Sequence, residues 1–395
     1  MSIIDKRYWI KAFVFSLALV LSGCSTQQMI DVISSKSPED TARKILQRKQ
    51  ASYKHNPLQF VRDAKSFKYQ VKRLVESLRG NAGKQWGNKN VVLPGKKRYV
   101  KYTHNYKSRA IIDFDQGLIT VETLDKSNRS LFNAITTTLL TPDDPRSVDL
   151  YSDKEIRLTG TPYLFGLVKD HHRKDVESPA EAEAFAHYLV NHQMQSKTVN
   201  TAKENKAVNY VSIRMVNNHD QVRAVRYKST VNKNAKRFGI SSSLIYAIIR
   251  TESNFNPYAV SSAPAYGLMQ LVPTSGARDA YRMIKGHDRI VDKQYLFNAS
   301  RNIELGTAYL NILDSRYLGR ITDPLSREYC VIAAYNGGAG NVLNMFSRDR
   351  VTALNKINQL KPSDVYKKLR DQHPRLETRR YLTKVLGFRK NYIRI

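Results

Sequence analysis

Near residue 225 the spacing of apolar residues changes period and does not change back. Upstream, stretches of period two alternate with short helical stretches. Strand-like alternation is gone by about Thr230, and helical spacing then runs to the end. The chain has 395 residues, 41% hydrophobic and 25% charged, which is ordinary globular usage and enough length for two or three domains with cores of their own. Wholesale disorder, a collagen-like repeat and a polytopic membrane protein are excluded. The expected architecture is an α+β domain over 46–228 followed by an all-α domain over 229–395.

Local signals support this division. Residues 40–80 read as helical and basic. Ile112 and Phe114 alternate with Asp113 and Asp115, and Asp115-Gln116-Gly117 reads as the turn of a hairpin whose return strand is Leu118 to Thr123. Ser178-Pro179-Ala180-Glu181 has capping-box spacing with proline at the first helical position, so a helix is expected from there to about His192. Val211, Ile213 and Met215 alternate as in a strand.

The first 24 residues bear on where the chain works. Lys6, Arg7 and Lys11 precede an apolar stretch from Ala12 to Leu21, too short to span a bilayer but suited to an export signal. It ends in Leu21-Ser22-Gly23-Cys24, which looks like a bacterial lipobox with Cys24 as the lipidated thiol; an ordinary secretory signal with a chance cysteine is the alternative. Ser25, in place of Asp, implies sorting to the outer membrane, with acyl chains as a membrane anchor facing the periplasm. Residues 25–45, polar and rich in Ser and Gln, read as a tether.

Lys and Arg number 65 against 34 acids, a net +31. Residues 221–395 carry +18 of it and the first 220 carry +13, so an extended polyanion or an acidic surface is the expected partner. Export makes nucleic acid a poor candidate and leaves the peptidoglycan mesh. A solvated basic face with no ligand is the alternative for the N-terminal domain.

One acidic residue sits in an unusual place. Leu244, Ile245, Ile248 and Ile249 form an apolar helical stripe, and Glu252 falls on the same face near the helix end, before the breakers Asn254-Phe255-Asn256-Pro257. Apolar surroundings and the negative end of the helix dipole both disfavour a carboxylate there. A carboxyl kept protonated near neutrality is what a general acid for a glycosidic bond requires. From the helix alone, a Glu paired with a nearby basic residue is the favoured explanation of the position, and the motifs that follow reverse that.

Further motifs follow in order. Glu252-Ser253-Asn254-Phe255-Asn256-Pro257-Tyr258-Ala259-Val260-Ser261 precedes Tyr266-Gly267-Leu268-Met269-Gln270-Leu271-Val272-Pro273; then come Ala333-Ala334-Tyr335-Asn336-Gly337-Gly338 and Glu377-Thr378-Arg379-Arg380-Tyr381. Together they resemble the signature of the goose-lysozyme-like lytic transglycosylases, over about 230–395. Pro264 departs from the Gly that many members have before the Ala. The hairpin-bearing N-terminal domain and lipobox resemble the membrane-bound members.

The resemblance implies a lysozyme-like catalytic domain that cleaves peptidoglycan glycan strands without water, needing neither cofactor nor metal. Glu252 is implied as sole acid and base, forming a 1,6-anhydro ring on the muramoyl sugar. The next acid in sequence, Asp279, lies beyond the second motif, which favours the anhydro product over hydrolysis. By motif position Ser261 and Gln270 would bond the acetamido and lactyl groups, and Tyr266 and Met269 would wall the sugars. Tyr335 would position Glu252 or the acetamido group, or else serve as a core aromatic. Asn336 opens a turn lining the cleft, and Tyr381 borders the far subsites. Glu377 either faces the cleft or pairs with Arg380. Other cell-wall enzymes are conceivable partners. A hydrolytic muramidase on the same fold and a noncatalytic peptidoglycan-binding lipoprotein are the competing readings.

Other candidates carry little. His171-His172 reads as a solvated charged loop with no partner at metal-ligand spacing, and Cys330, in an apolar helical run, as a small buried core residue. Two cysteines exclude a disulfide scaffold.

Overall fold

The computed structural model describes residues 57–202, 204–261 and 265–393. The export signal with Cys24, the tether and Pro264 lie outside the described residues. The chain divides into two compact units, Met1–Arg73 and Leu74–Ile395; the described part of the first is helix, and the second contains the sheet, the remaining helices and the motifs above.

Helix α1 (Pro57–Trp86) leads into a five-stranded antiparallel sheet: β1 (Arg98–Thr103), β2 (Ser108–Asp113), β3 (Leu118–Thr123), β4 (Gln195–Asn200) and β5 (Asn205–Arg214), in the order β1-β2-β3-β5-β4. The expected hairpin is β2–β3, with Ser108 opposite Thr123 and Asp113 opposite Leu118. Its turn is held by Asp113 Oδ1, which accepts from the backbone N–H groups of Asp115 and Gln116, both at 3.0 Å. Gly117 completes it at φ 61°, where a Cβ would come 2.7 Å from the His219 ring.

Alternate strand residues go to opposite faces, and both faces are covered. Tyr99, Ile112, Phe114, Ile119, Val121, Val211 and Ile213 pack beneath α2 (Asn128–Leu139) and α3 (Pro179–His192). On the other face Val100, Tyr102, Val199 and Val208 meet Leu78, Ala82 and Trp86 of α1. Helix α3 starts in the expected capping box: the Ser178 hydroxyl accepts from Glu181 N–H at 3.3 Å, and the Glu181 carboxylate accepts from Ser178 N–H at 2.8 Å. Strand β4 and helix α2 carried no clear sequence signal. In β4 only Val199 is buried, so a polar edge strand shows no alternation.

From residue 219 on, the described residues form helices without a further sheet strand: α4 (His219–Val225), α5 (Lys228–Phe238), α6 (Ser242–Glu252), α7 (Gly276–Lys285), α8 (Lys293–Phe297), α9 (Ala299–Ile312), α10 (Pro324–Gly337), α11 (Ala339–Asn344), α12 (Arg350–Asn358), α13 (Pro362–Gln372) and α14 (Leu376–Arg389). Helix α6 is the axis, buried from Ser243 through Ile249 and packed against α5 and α14. Cys330 is buried in α10, its thiol pushed up to about 12 by desolvation. His171 and His172 sit in an exposed loop, with His171 stacked on Tyr188.

The two parts are joined by the segment that follows α6. Asn254 Nδ2 donates to Phe114 O at 2.7 Å and to Asp115 Oδ1 at 2.8 Å. Tyr258 belongs to the core of the sheet domain, edge-on to Tyr99 (5.0 Å) and Tyr163 (5.7 Å). Arg223, fully buried on α4, donates to Phe114 O at 3.0 Å and also bonds Asn254 O and the Asp220 carboxylate. Replacing it (Arg223→Met) takes the side-chain donor from Asn254 O, leaves Phe114 O to Asn254 and Asp220 to Arg250, and is expected to cost about 3 kcal/mol, because breaking a buried charged network forfeits desolvation already incurred. Urea unfolding at neutral pH measures this; a loss below 1 kcal/mol would show that solvent replaces the guanidinium.

Candidate active site

Helix α6 ends on Glu252, where the breaker residues force the chain to turn. Asn254 and Phe255 adopt left-handed backbone conformations, φ 51° and 57°, which for a bulky aromatic is uncommon. Packing holds it there: the buried Phe255 ring stacks on Tyr227 and meets Tyr246 and Tyr392. The turn leaves the Glu252 side chain 5% exposed at the floor of an open groove of about 400 Å³.

Burial is the main influence on Glu252 and raises its pKa above the ordinary glutamate range; the charge of Glu377 adds to this. Lys96 opposes it, with Nζ 3.2 Å from Oε2, as does the Tyr381 hydroxyl. That hydroxyl lies near enough to favour the carboxylate but falls short of a regular hydrogen bond, and it has no such bond to any group among the described residues. The net direction is upward, toward a protonated acid. The two sequence readings of Glu252 therefore both describe it: it is on the buried face, and it is paired with a base.

Tyr381 is almost wholly buried and faces Glu252, not the far subsites expected of it. The half-buried Tyr335 is close enough for the charge of Glu252 to help raise its phenol, after burial, and its hydroxyl donates to Met269 O at 2.9 Å. Asn336 joins α10 to α14: its Oδ1 accepts from Thr378 Oγ1 at 2.8 Å, and its Nδ2 reaches Glu377 Oε1 at 3.5 Å. Glu377 lines the groove beside Arg380 and forms no ion pair with it among the described residues. The groove thus holds a second carboxyl, and of the two placements expected for Glu377 it is the one facing the groove.

The loop from Ser253 to Leu271 closes on itself. Ser253 Oγ donates to Leu268 O at 2.8 Å, Gly267 N–H donates to Ala259 O at 2.9 Å, and Tyr266 and Leu271 bond each other's backbone. Gln270 Nε2 donates to Ala259 O (3.1 Å) and Gly267 O (2.9 Å), so its amide orientation follows from two carbonyl acceptors. Its Oε1 is buried without a partner among the described residues. The Ser261 hydroxyl accepts from Ala265 N–H at 3.3 Å. Tyr266 and Met269 do not present the apolar walls expected of them. The Tyr266 ring is buried edge-on to Phe297, and Met269 is fully buried against Gly306 of α9.

Two residues of this site escaped sequence reasoning. Buried Asn302 clamps the loop, donating to Tyr266 O (2.9 Å) and Leu296 O (2.8 Å) and accepting from Met269 N–H (2.8 Å). Gly267, at φ 72°, is the residue it closes on: a Cβ there would lie 2.6 Å from both Asn302 Nδ2 and Leu296 O. Lys96 is the other, separated from Glu252 by 156 positions. A basic run before a strand carries no sign of such a partner.

Comparison with known proteins gives this arrangement relatives. Residues 60–226 match the family model for the membrane-bound lytic murein transglycosylase C N-terminal domain, and residues 229–358 match the transglycosylase SLT domain. The chain is 43% identical over 338 residues to the membrane-bound lytic murein transglycosylase C of Yersinia pestis (strain Pestoides F), covering 85% of this chain and 92% of the relative. The protein of the same name from Yersinia pseudotuberculosis serotype O:1b (strain IP 31758) matches equally. Among solved structures, an inactive variant of lytic transglycosylase Slt from Pseudomonas aeruginosa is 30% identical (TM-score 0.31), and the 70 kDa soluble lytic transglycosylase of Escherichia coli is 26% identical (TM-score 0.32). Each covers 41% of this chain, which spans 23% of either structure. With both family models matched in order and near-complete relatives at 43% identity, the chain belongs to the membrane-bound lytic murein transglycosylase C family.

Proposed function

We propose that the protein cleaves the β-1,4 bond between N-acetylmuramic acid and N-acetylglucosamine in peptidoglycan without water, with Glu252 as acid and then base. The observation that carries this is the buried Glu252 carboxyl at the end of α6, held toward its protonated form and open to a groove. Protonated Glu252 gives its proton to the glycosidic oxygen as the bond to muramoyl C1 breaks. The positive charge at C1 is met by the substrate's own 2-acetamido oxygen. The new carboxylate then takes the proton of the muramoyl 6-hydroxyl while that oxygen bonds C1, which closes the 1,6-anhydro ring and restores the acid.

Around this centre Gln270 braces the loop through Ala259 O and Gly267 O, and Tyr335 steadies it through Met269 O. Ser261, at the loop edge, addresses the lactyl side. Anchoring to the outer membrane through Cys24, facing the periplasm, is part of the same reading. It is supported by the lipobox and by the word membrane-bound in the relatives' names; no helix among the described residues is long and apolar enough to cross a membrane. The domain limits proposed are 46–228 and 229–395.

Glu377 gives hydrolysis a physical foothold, since a second carboxylate in the groove can activate water. Mass spectrometry of digested sacculi separates the two chemistries. Anhydromuramoyl ends are expected; reducing muramic ends, heavier by one water, lost in Glu377→Gln, would establish a muramidase.

Glu252→Gln is expected to lower turnover by at least about 10³-fold while leaving sacculus binding intact. Retained turnover would remove Glu252 from the chemistry. Because a general acid must hold its proton, kcat/KM of the unaltered enzyme should fall on the alkaline side as Glu252 ionises.

The same group makes a stability prediction. Its folded pKa is raised, so its contribution is present in full below the unfolded pKa and is lost as pH rises through the folded one. Gln does not titrate. Glu252→Gln should therefore melt higher than the parent at neutral pH, with the gap closing toward acid pH. Calorimetry across that range tests it, and a gap widening toward acid would show that the carboxylate is the favoured form.

A further inference from the structure

The active-site acid has a counter-ion that comes from the other domain. Building on the reading of Glu252 above, we propose that Lys96 of the N-terminal domain is a positioning residue of the reaction, holding the Glu252 carboxyl in place and stabilising the anion formed when it gives up its proton. The two-domain arrangement thereby completes the site.

The placement is built, not incidental. Lys96 sits in a turn closed by the hydrogen bond from Gly95 N–H to Arg98 O, 2.9 Å. Its carbonyl accepts from Asn256 Nδ2 at 3.0 Å, and Asn256 is a fully buried residue four positions beyond Glu252. The neighbouring Lys97 pairs with Asp115, which also accepts from Asn254. The turn carrying the lysine and the segment carrying the acid are thus bonded to each other through backbone and side chain. A surface ion pair between two independent loops would show neither bond.

The chemistry needs such a group. Among the described residues, the ionisable groups that face Glu252 are Lys96, Tyr335 of α10, and Glu377 and Tyr381 of α14, and Lys97, Arg380 and Lys384 also line the groove. Lys96 is the cation in ion-pair contact. After proton transfer Glu252 is a carboxylate in a site where its side chain is 6% exposed, and a buried charge left unpaired is costly. The ammonium offsets that cost when the charge appears, which is differential stabilisation of the transition state. The Lys96 side chain is 37% exposed, so it can give way as sugar enters without its backbone moving.

The test uses the full protein and short soluble glycan strands prepared from sacculi. Lys96→Met should lower kcat about tenfold with KM little changed, and move the alkaline limb of kcat/KM upward by about one pH unit, since a lost cation raises the pKa of the acid it faced. Lys96→Arg should recover most of kcat and restore the limb. Lys356→Met, an equal loss of charge on the exposed face of α12, controls for net charge. Melting temperatures check that each variant is folded. The proposal is overturned if Lys96→Met leaves both kcat and the limb unmoved, if its whole effect lies in KM, or if Lys356→Met shifts the limb equally. Glu252→Gln in the same assay keeps the two readings apart. If it is active, the assignment of the acid fails; if it is inactive while Lys96→Met titrates like the parent, only the role of Lys96 falls.

Discussion

The structure depends on how residues 254–258 leave helix α6. Five residues after a buried helix cannot continue as helix and cannot reach solvent, so their polar groups must be met inside. The N-terminal sheet meets them: the ends of the β2–β3 hairpin accept from Asn254, Lys96 O accepts from Asn256, and Tyr258 enters the sheet domain's core. The acid at the end of α6 is therefore positioned from two directions, by the helical domain behind it and the sheet domain beside it. The left-handed backbone at Asn254 and Phe255 is tolerated because both partners hold the segment tightly enough to offset the strain.

Electrostatics at the acid is a balance of opposed effects. Burial and Glu377 favour the neutral carboxyl; Lys96 and the Tyr381 hydroxyl favour the anion. Burial prevails, but the opposition matters for a group that must both lose and regain a proton within one turnover. A purely apolar site would hold the proton and resist giving it up. A fully paired carboxylate would never carry it.

Rigidity in the loop beyond the acid comes from buried polar groups. Asn302 uses both ends of its amide on the turn at Gly267, Ser253 holds Leu268, and Gln270 holds Ala259 and Gly267. Such a network, bonded at every group but Gln270 Oε1 among the described residues, defines one loop geometry where an apolar contact would allow several. The consequence is that Met269 and Tyr266 turn inward and brace the loop, and apart from Leu376 the groove is lined by charged and polar side chains and Tyr381.

Much of this was legible in the chain. The β2–β3 hairpin, the capping box of α3, the inward face of α6 and the switch from sheet to helix are all local, written in residue spacing at separations of two to four. Membership of the family was legible through motif order. The polar edge strand β4 was not, because a strand with one buried residue has no alternation to read. Nor was the pairing of Lys96 with Glu252 or the clamp made by Asn302. Periodicity reports which face of an element is buried; it carries no information about which distant side chain will meet it. The chain alone determined that Glu252 would be buried at a helix end, because that follows from spacing along one helix. Which charges surround it was decided by tertiary structure, because those groups come from a turn 156 positions away and from the last long helix, and only packing brings them within reach.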